Sequence, residues 1–468
     1  MRRGGRVELV REGGDKSHRG GKLPRVRATL WSSSLVLVVV LGCSDGASGG
    51  PVSASGAPSN EAAAQSSAAV VVAGTSSADA VSGASTYASA PPETSSRPPG
   101  AGERTLDGAA LRRRNAARLR EDKSAVTVLS GDDPLELGRD LCEAVVPRRA
   151  AETPILVKPN LCGFDAVKKR GDDNGVSGRT THPEFVRGIV RCLRARGHTK
   201  ITIAEGCSVP HAQFLEVAEL AGYAQMAREE SVSLVALDDD GVFDVEGDRP
   251  GKPIVVSGIA DTTVPTLLLP KGLADHLEGG IWISAPKIKT HRFSVTSLAI
   301  KGMQGVVMRS DGKPAHTQKW RMHKELMTYL KTKDTAEDRA LFVKSLELFA
   351  DRMVDVLEIA APDVVLAEGA PAMGGDGFQT MRPMPKKVAI GGTNPIAVDK
   401  VGTEYLGLWD SARLANGLRG HRTSPLVSRA AARFGLDLNG WPITGSGAPL
   451  LSEPRPVSFV SMAPFSVP

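Results

Sequence analysis

The chain has 468 residues, with 58 Lys+Arg against 52 Asp+Glu, a formal charge of +6. Residues 1–30 hold nine basic and three acidic side chains, so the other 438 residues balance at 49 of each sign. A neutral body with only 4% aromatics lacks the basic face and stacking platforms of a nucleic-acid partner, and 41% hydrophobic content excludes wholesale disorder.

The basic stretch ends at Arg27 and is followed by an apolar run from Leu35 to Leu41, closed by Gly42-Cys43. Seven apolar residues are too few for a membrane span, which needs about 20. They suit the apolar core of a signal peptide over 1–43. Val40-Leu41-Gly42-Cys43 resembles a bacterial lipobox. That resemblance implies lipidation of Cys43, which would make the membrane a partner and the cell envelope the location. Ser44, where an Asp would favour inner-membrane retention, tips the expectation toward the outer membrane. The alternatives are an ordinary secretory signal or a short strand with a chance Cys. Residues 44–110 are nearly all Ser, Ala, Gly, Pro and Thr, with Pro91-Pro92 and Pro98-Pro99-Gly100. This composition cannot offset its ordering entropy and reads as a flexible tether. A basic helix over 111–120 leads into a domain covering 111–468.

Within the domain, strand-like and helix-like segments alternate. Residues 154–158 form a short apolar run. Apolar positions 185, 186, 189, 190 and 193 predict a helix over 183–196, with Pro183 in its first turn and Gly197 ending it. A strand follows at 200–204, a helix at 211–229 and a strand at 232–237. Residues 254–256 and 264–269 read as an antiparallel excursion, 280–284 as a buried strand and 295–303 as an apolar helical stretch. The longest helix is expected at 335–359, capped by Asp334 or Thr335. Strands at 363–367 and 387–390 and helices at 395–406 and 425–434 complete the series. The alternation predicts an α/β fold, a mainly parallel sheet with helices on both faces.

Ligands in such sheets sit beyond the carboxyl ends of the strands, so the residues just past each strand matter most. Lys158-Pro-Asn160 comes after the first, Glu205-Gly206-Cys207 after the second, and Pro286-Lys-Ile-Lys-Thr-His291 after the strand at 280–284. Glu368-Gly369, then Gly374-Gly375-Asp376-Gly377, come after the strand at 363–367. Gly391-Gly-Thr-Asn-Pro395 leads to Asp399, and Thr180-Thr-His-Pro183 opens the first crossover helix.

Val157-Lys-Pro-Asn160, Thr181-His-Pro183, Ala204-Glu-Gly206, the run 286–291, Ser297-Leu-Ala-Ile-Lys-Gly-Met303 and the stretch from Gly391 to Asp399 together resemble the DUF362 family, over about residues 125–445. The resemblance implies an α/β domain and no settled reaction. Many relatives carry a ferredoxin-type Cys-rich segment. Here the cysteines are 43, 142, 162, 192 and 207 with no CxxCxxC run, so no iron–sulfur cluster is expected.

Lys287, Lys289 and His291 alternate at period two, so an extended segment points all three to one side, where they suit a carboxylate or phosphate. Like-charge repulsion could also lower one lysine and make it a base or nucleophile. The competing reading is a solvated basic loop. Lys158, held before Pro159, is a second anion-binding candidate, with Asn160 orienting a ligand or capping a turn. Lys301 lies mid-run and either reaches the site or snorkels. His182 begins a helix whose dipole favours its neutral form. Glu205, His182 and Asp399 are candidates for moving protons, each set against a structural role. Glu205, Glu368, Asp376 and Asp399 with His and Asn suit a hard divalent metal, but no HExxH or paired CxxC accompanies them. Gly375 and Asp376 belong to a Gly-rich turn whose amides could approach an anion. No nucleotide fingerprint and no nucleophile elbow joins a strand to a helix.

Cys162 and Cys207 follow neighbouring strands and could pair in an exported protein, whereas Cys142 and Cys192 fall in helical apolar patterns and read as core. Residues 303–334, with His316, Trp320 and His323, read either as a lid or as a surface excursion, and 238–270 as an insertion. The functional expectation is a tethered domain that binds, and as an enzyme would transform, a small anionic ligand in a Lys/His/carboxylate pocket. The alternative is a lipoprotein that captures a ligand or metal without turnover.

Overall fold

The computed structural model describes residues 104–161, 178–207, 211–240, 253–308, 322–327, 335–377, 380–453, 459–460 and 466–467. The expected signal peptide, Cys43 and the tether up to 103 lie outside the described residues, as do Cys162, His316, Trp320 and most of the 303–334 excursion.

The domain starts with β1 (Thr105–Asp107), which pairs in parallel with β6 (Ile254–Ser257), so its order begins inside the segment read as tether. Helix α1 (Gly108–Glu121) follows, capped by the Asp107 carboxylate on the Ala110 N–H. Then come β2 (Val126–Ser130), α2 (Pro134–Val145), β3 (Ile155–Pro159), α3 (Pro183–Ala195) and β4 (Ile201–Glu205). The helix expected over 211–229 is two: α4 (His211–Leu220) and α5 (Tyr223–Glu229). They part at Gly222, whose φ of 76° no helix can hold. Strand β5 (Ser233–Ala236) follows, then β6, which pairs antiparallel with β7 (Leu268–Leu269) as the excursion predicted.

Helix α6 (Lys271–Gly279) leads to β8 (Ile281–Ala285), β9 (Lys287–His291) and β10 (Val295–Ser297). The stretch read as helical over 295–303 is therefore β10, a single turn α7 (Ala299–Gly302) and a 3-10 turn (Met303–Val306). Its apolar residues are buried all round, and such a run has no period to distinguish the states. After α8 (Lys324–Met327) comes the long helix α9 (Ala336–Ala360), capped by Thr335, whose hydroxyl accepts the Asp338 N–H at 3.0 Å. Next are β11 (Val364–Gly375), β12 (Met381–Pro383), β13 (Val388–Gly392), α10 (Pro395–Tyr405), α11 (Ala412–Gly417), α12 (Pro425–Phe434) and β14 (Ile443–Thr444), with β15 (Phe459–Val460) and β16 (Ser466–Val467) last.

The main sheet runs β14-β2-β13-β11-β8-β3-β4-β5, with β9, β10, β12, β15 and β16 attached off this path. From β11 to β5 every pairing is parallel, while β13 runs antiparallel to both β11 and β2. The α/β expectation is met. Central strands are continuous apolar runs because both faces are covered. Alternate residues then serve opposite cores. Leu156, Ala204, Trp282 and Val365 pack with α1, α9, α10 and α12. Ile155, Ile203, Ile283 and Leu366 pack with α2, α3, α4 and α5.

The second core holds a correction. Cys142 of α2 and Cys192 of α3 are buried as expected, but they form a disulfide, Cα–Cα 6.3 Å. One turn before each cysteine stands a glycine. A Cβ on Gly138 would lie 2.0 Å from the Phe185 carbonyl oxygen, and one on Gly188 would lie 2.1 Å from that of Leu135. The helices touch backbone to backbone, which brings the two sulfurs together. Cys207 lies 2.7 Å from the Leu161 carbonyl; the expected Cys162–Cys207 pairing involves a residue outside the described ones.

Candidate functional site

Two buried ion pairs stand near the carboxyl ends of the parallel strands. In the first, Lys158 near the end of β3 meets Glu205 at the end of β4, Nζ to Oε1 at 2.7 Å. The Glu205 carboxylate also accepts the Gly206 N–H at 2.8 Å and the Leu161 N–H at 3.2 Å. The 3-10 turn seals this pair. A Cβ on Gly305 would lie 2.4 Å from Glu205 Oε1 and 2.9 Å from Lys158 Nζ, so a larger residue there would displace the ends of both side chains. Sequence reading did not single out Gly305, although it lies two residues past the motif that ends at Met303.

In the second pair, Lys287 on β9 faces Glu368 on β11, in register across the two parallel strands. Lys287 Nζ donates to both carboxylate oxygens, at 2.8 and 2.7 Å. Glu368 is fully buried and accepts two backbone N–H groups as well, from His182 at 3.1 Å and from Ala370. Burial lowers the Lys287 pKa, opposed by Glu368 and assisted by Lys289. Past Glu368 the β11–β9 register shifts before Met373, and the Ala370–Pro371 peptide within this irregularity is cis.

His182 is the N-cap of α3, and its Nδ1 accepts the Glu184 N–H at 3.2 Å. An imidazole that accepts at Nδ1 while neutral carries its proton on Nε2. Burial lowers its pKa, with Lys287 and Lys387 acting the same way and Glu368 against, so the neutral form is favoured. The Thr181 hydroxyl donates to the Ala285 carbonyl at 2.7 Å and accepts the Asn160 N–H at 3.0 Å. Asn160 Nδ2 donates to the Arg179 carbonyl at 2.8 Å, and the Tyr223 hydroxyl donates to the Thr181 carbonyl at 2.9 Å. Asn160 and Tyr223 thus fix the loop that carries His182.

His182 and Lys287 open onto one cleft of about 1020 Å³. Its walls include Pro134 and Pro183, first residues of α2 and α3, so two helix N-termini face the same space. Leu220, Pro371, Met373, Met381 and Lys387 add walls from separate elements. None of these five was a sequence candidate, because residues so far apart leave no local signature.

The other candidates are placed elsewhere. Lys289 Nζ donates to the carbonyls of Arg179 at 2.8 Å and Gly377 at 3.1 Å, tying β9 to the Gly-rich turn. His291 is buried; its Nδ1 accepts the N–H groups of Phe293 at 3.2 Å and Ser294 at 3.3 Å. Burial drives its pKa well down, with Lys301, Lys289 and His323 adding to the shift. Lys301 is half-buried on α7, and His323 is buried, its pKa lowered to about 3 by burial and by Lys301. Gly375 takes φ 95°, and a Cβ there would lie 1.9 Å from the Thr380 carbonyl oxygen. Asp376 pairs with Arg292 and accepts the Thr380 N–H at 2.9 Å. Both residues shape a turn whose Gly377 carbonyl holds Lys289.

Asp399 accepts the N–H groups of Ala299 at 2.8 Å and Ile300 at 2.9 Å. Burial pushes it up to about 7, against those two donors. Among the described residues, no three His, Cys, Asp or Glu side chains converge as metal ligands.

A family model described as "Domain of unknown function (DUF362)" matches residues 155–404, a window that contains both ion pairs, His182 and Asp399. No curated protein and no solved structure matches the chain.

Proposed function

The chain belongs to the DUF362 family, and from that premise we propose that its domain binds a small anionic ligand in the cleft at the carboxyl ends of the strands, while its leader and tether hold it in the cell envelope. The observation that carries the binding reading is the meeting of a neutral His182 and the buried Lys287 in one open cleft. The Nε2–H of His182 is the donor, and Lys287, neutralised by Glu368, presents the dipole of a buried ion pair rather than a net charge. The N-termini of α2 and α3 add positive potential.

The envelope location is supported by the apolar run ending in Cys43, by the tether and by the Cys142–Cys192 disulfide, a bond that persists in oxidising compartments. Among the described residues no helix is long and apolar enough to cross a membrane.

Calorimetric titration of the exported chain with acetate and with inorganic phosphate tests the binding. At least one should bind with a dissociation constant on the order of millimolar. His182→Asn keeps an N-cap but removes the Nε2 donor. It should retain the melting temperature and weaken binding about tenfold or more, the worth of a hydrogen bond to a charged group. No heat from either anion, or an unchanged affinity in His182→Asn, overturns the reading.

One feature favours turnover over simple capture. An imidazole and a lysine, both with pKa values lowered by burial, line the same cleft, and these are residue types that general acid–base catalysis uses. Turnover of a carboxylate or phosphate ester, with an acid limb that moves in Lys287→Arg, would establish it.

A further inference from the structure

The cleft is much larger than its polar end requires. An inorganic anion fills the space of a few waters, at about 30 Å³ each. The cleft offers about 1020 Å³, the upper end of the range that holds drug-sized ligands, roughly 300–1,000 Å³. Besides apolar residues its lining holds Glu219, whose carboxylate is paired with Arg228, together with Gln225, Lys387, His182 and Lys287. His182 and Lys287 come from the start of α3 and from β9. The apolar wall comes from the end of α4, from β11 at its irregularity and from β12, through Leu220, Pro371, Met373, Met381 and Pro383.

These apolar side chains also stand out for where they sit. Leu220 is 39% exposed, a large aliphatic left in water at the mouth of the cleft. Met381 is half-buried on a short strand that pairs only with β11 among the described residues. Methionine is unbranched and polarisable, so a wall with two of them adapts to varied apolar shapes. A site for a bare inorganic ion gains nothing from such a wall. The Lys387 ammonium at the rim donates to the Asp132 carbonyl at 3.0 Å, which draws it from the apolar surface.

We propose that the ligand is an amphipathic organic anion: a single carboxylate or phosphate held by His182 beside Lys287, carrying an apolar body of several carbons against Leu220, Pro371, Met373, Met381 and Pro383. This rests on the reading that the cleft takes an anion, and it adds the chemical class.

The test is a calorimetric series on the full exported chain with acetate, butanoate, hexanoate and octanoate, and with the matching alcohols. Affinity should rise about two- to fourfold for each methylene added, as the apolar wall is filled. The alcohols should bind at least about tenfold more weakly than carboxylates of equal length. Leu220→Ser and Met381→Ser alter partly exposed residues of this wall, and both should flatten the gain per methylene, with the melting temperature checking that each variant folds.

If octanoate binds no better than acetate, the amphipathic class is wrong while the anion reading stands. The same holds if the gain per methylene persists unchanged in both serine variants, since the chain then lies elsewhere. If alcohols bind as well as carboxylates, or no carboxylate binds, the anion reading fails and this inference with it.

Discussion

Lys158 and Glu205 are both nearly excluded from water and depend on each other for their charge, with the Pro159 carbonyl accepting from Lys158 and two backbone N–H groups donating to Glu205. Removing one partner leaves an uncompensated buried charge, at a cost of about 3–5 kcal/mol, whereas replacing both with apolar residues of similar volume costs far less. Lys158→Met and Glu205→Leu should therefore each lower the unfolding free energy by about that amount, and the double variant should recover most of it; chemical denaturation of all four proteins reads the coupling. Asp399 gives a pH signature. Its pKa rises from 3.8 unfolded to about 7 folded, so the folded state binds more protons in between and stability falls as pH rises through that window. The loss is about 4 kcal/mol at most, and Asp399→Asn should remove it, seen as a flatter melting profile between about pH 4 and pH 8. His323 acts with the opposite sign: its pKa drops from 6.5 to about 3, so its contribution is lost as pH falls below 6.5. At this scale the sequence showed which residues carry charge and that they cluster after strands. It did not show that Lys287 and Glu368, 81 positions apart, neutralise each other, because strand order and register are needed for that. Asp399 likewise read as a proton carrier, yet its two oxygens cap α7 from a helix a hundred residues away.

Helices α2 and α3 bring their first residues, Pro134 and Pro183, to the cleft and are held together further along. Gly138 and Gly188 let the backbones touch, and Cys142–Cys192 lies one turn beyond. In an exposed helix Gly→Ala stabilises by about 1 kcal/mol. Gly188→Ala should instead destabilise by about 1–3 kcal/mol, since its Cβ has no room. The Cys142→Ala/Cys192→Ala variant should lose about 4 kcal/mol on the chain-entropy argument for a 50-residue separation. Equilibrium unfolding compares both with the parent, and an unaltered midpoint in either contradicts the contact. Helix α3 and strands β3, β4 and β8 were legible because period and flanking Gly and Pro agree there. Helix α2 lacked such agreement and was read only as a helical apolar pattern around Cys142, without bounds. The 295–303 stretch misled because an element buried on every side loses its period. The cysteines of α2 and α3 read as core because burial and bonding leave the same apolar surroundings.

At the scale of the molecule, a leader of +6 is followed by a sparsely charged tether rich in Ser, Ala, Gly and Pro, and the 438 residues after residue 30 sum to no net charge. If Cys43 is the anchor, cells fed labelled palmitate should label the parent chain and leave Cys43→Ser unlabelled; equal labelling contradicts the tethered reading. The alternation of strands with helices predicted a sheet covered on both faces, and the two cores flank it as that requires. Strand direction is not written in apolar runs, which is why β13 runs antiparallel between β11 and β2 with no advance sign. The cleft was invisible for the same reason: its walls come from α2, α3, α4, β9, β11 and β12 and meet only after the sheet is ordered. The decisive measurement is a crystal structure of the chain with 6-bromohexanoate, with the bromine located by anomalous scattering. The carboxylate should lie within hydrogen-bonding distance of His182 Nε2, and the bromine against Met373 and Met381. A carboxylate bound away from His182, or a bromine outside the cleft, would contradict the binding of an amphipathic anion there.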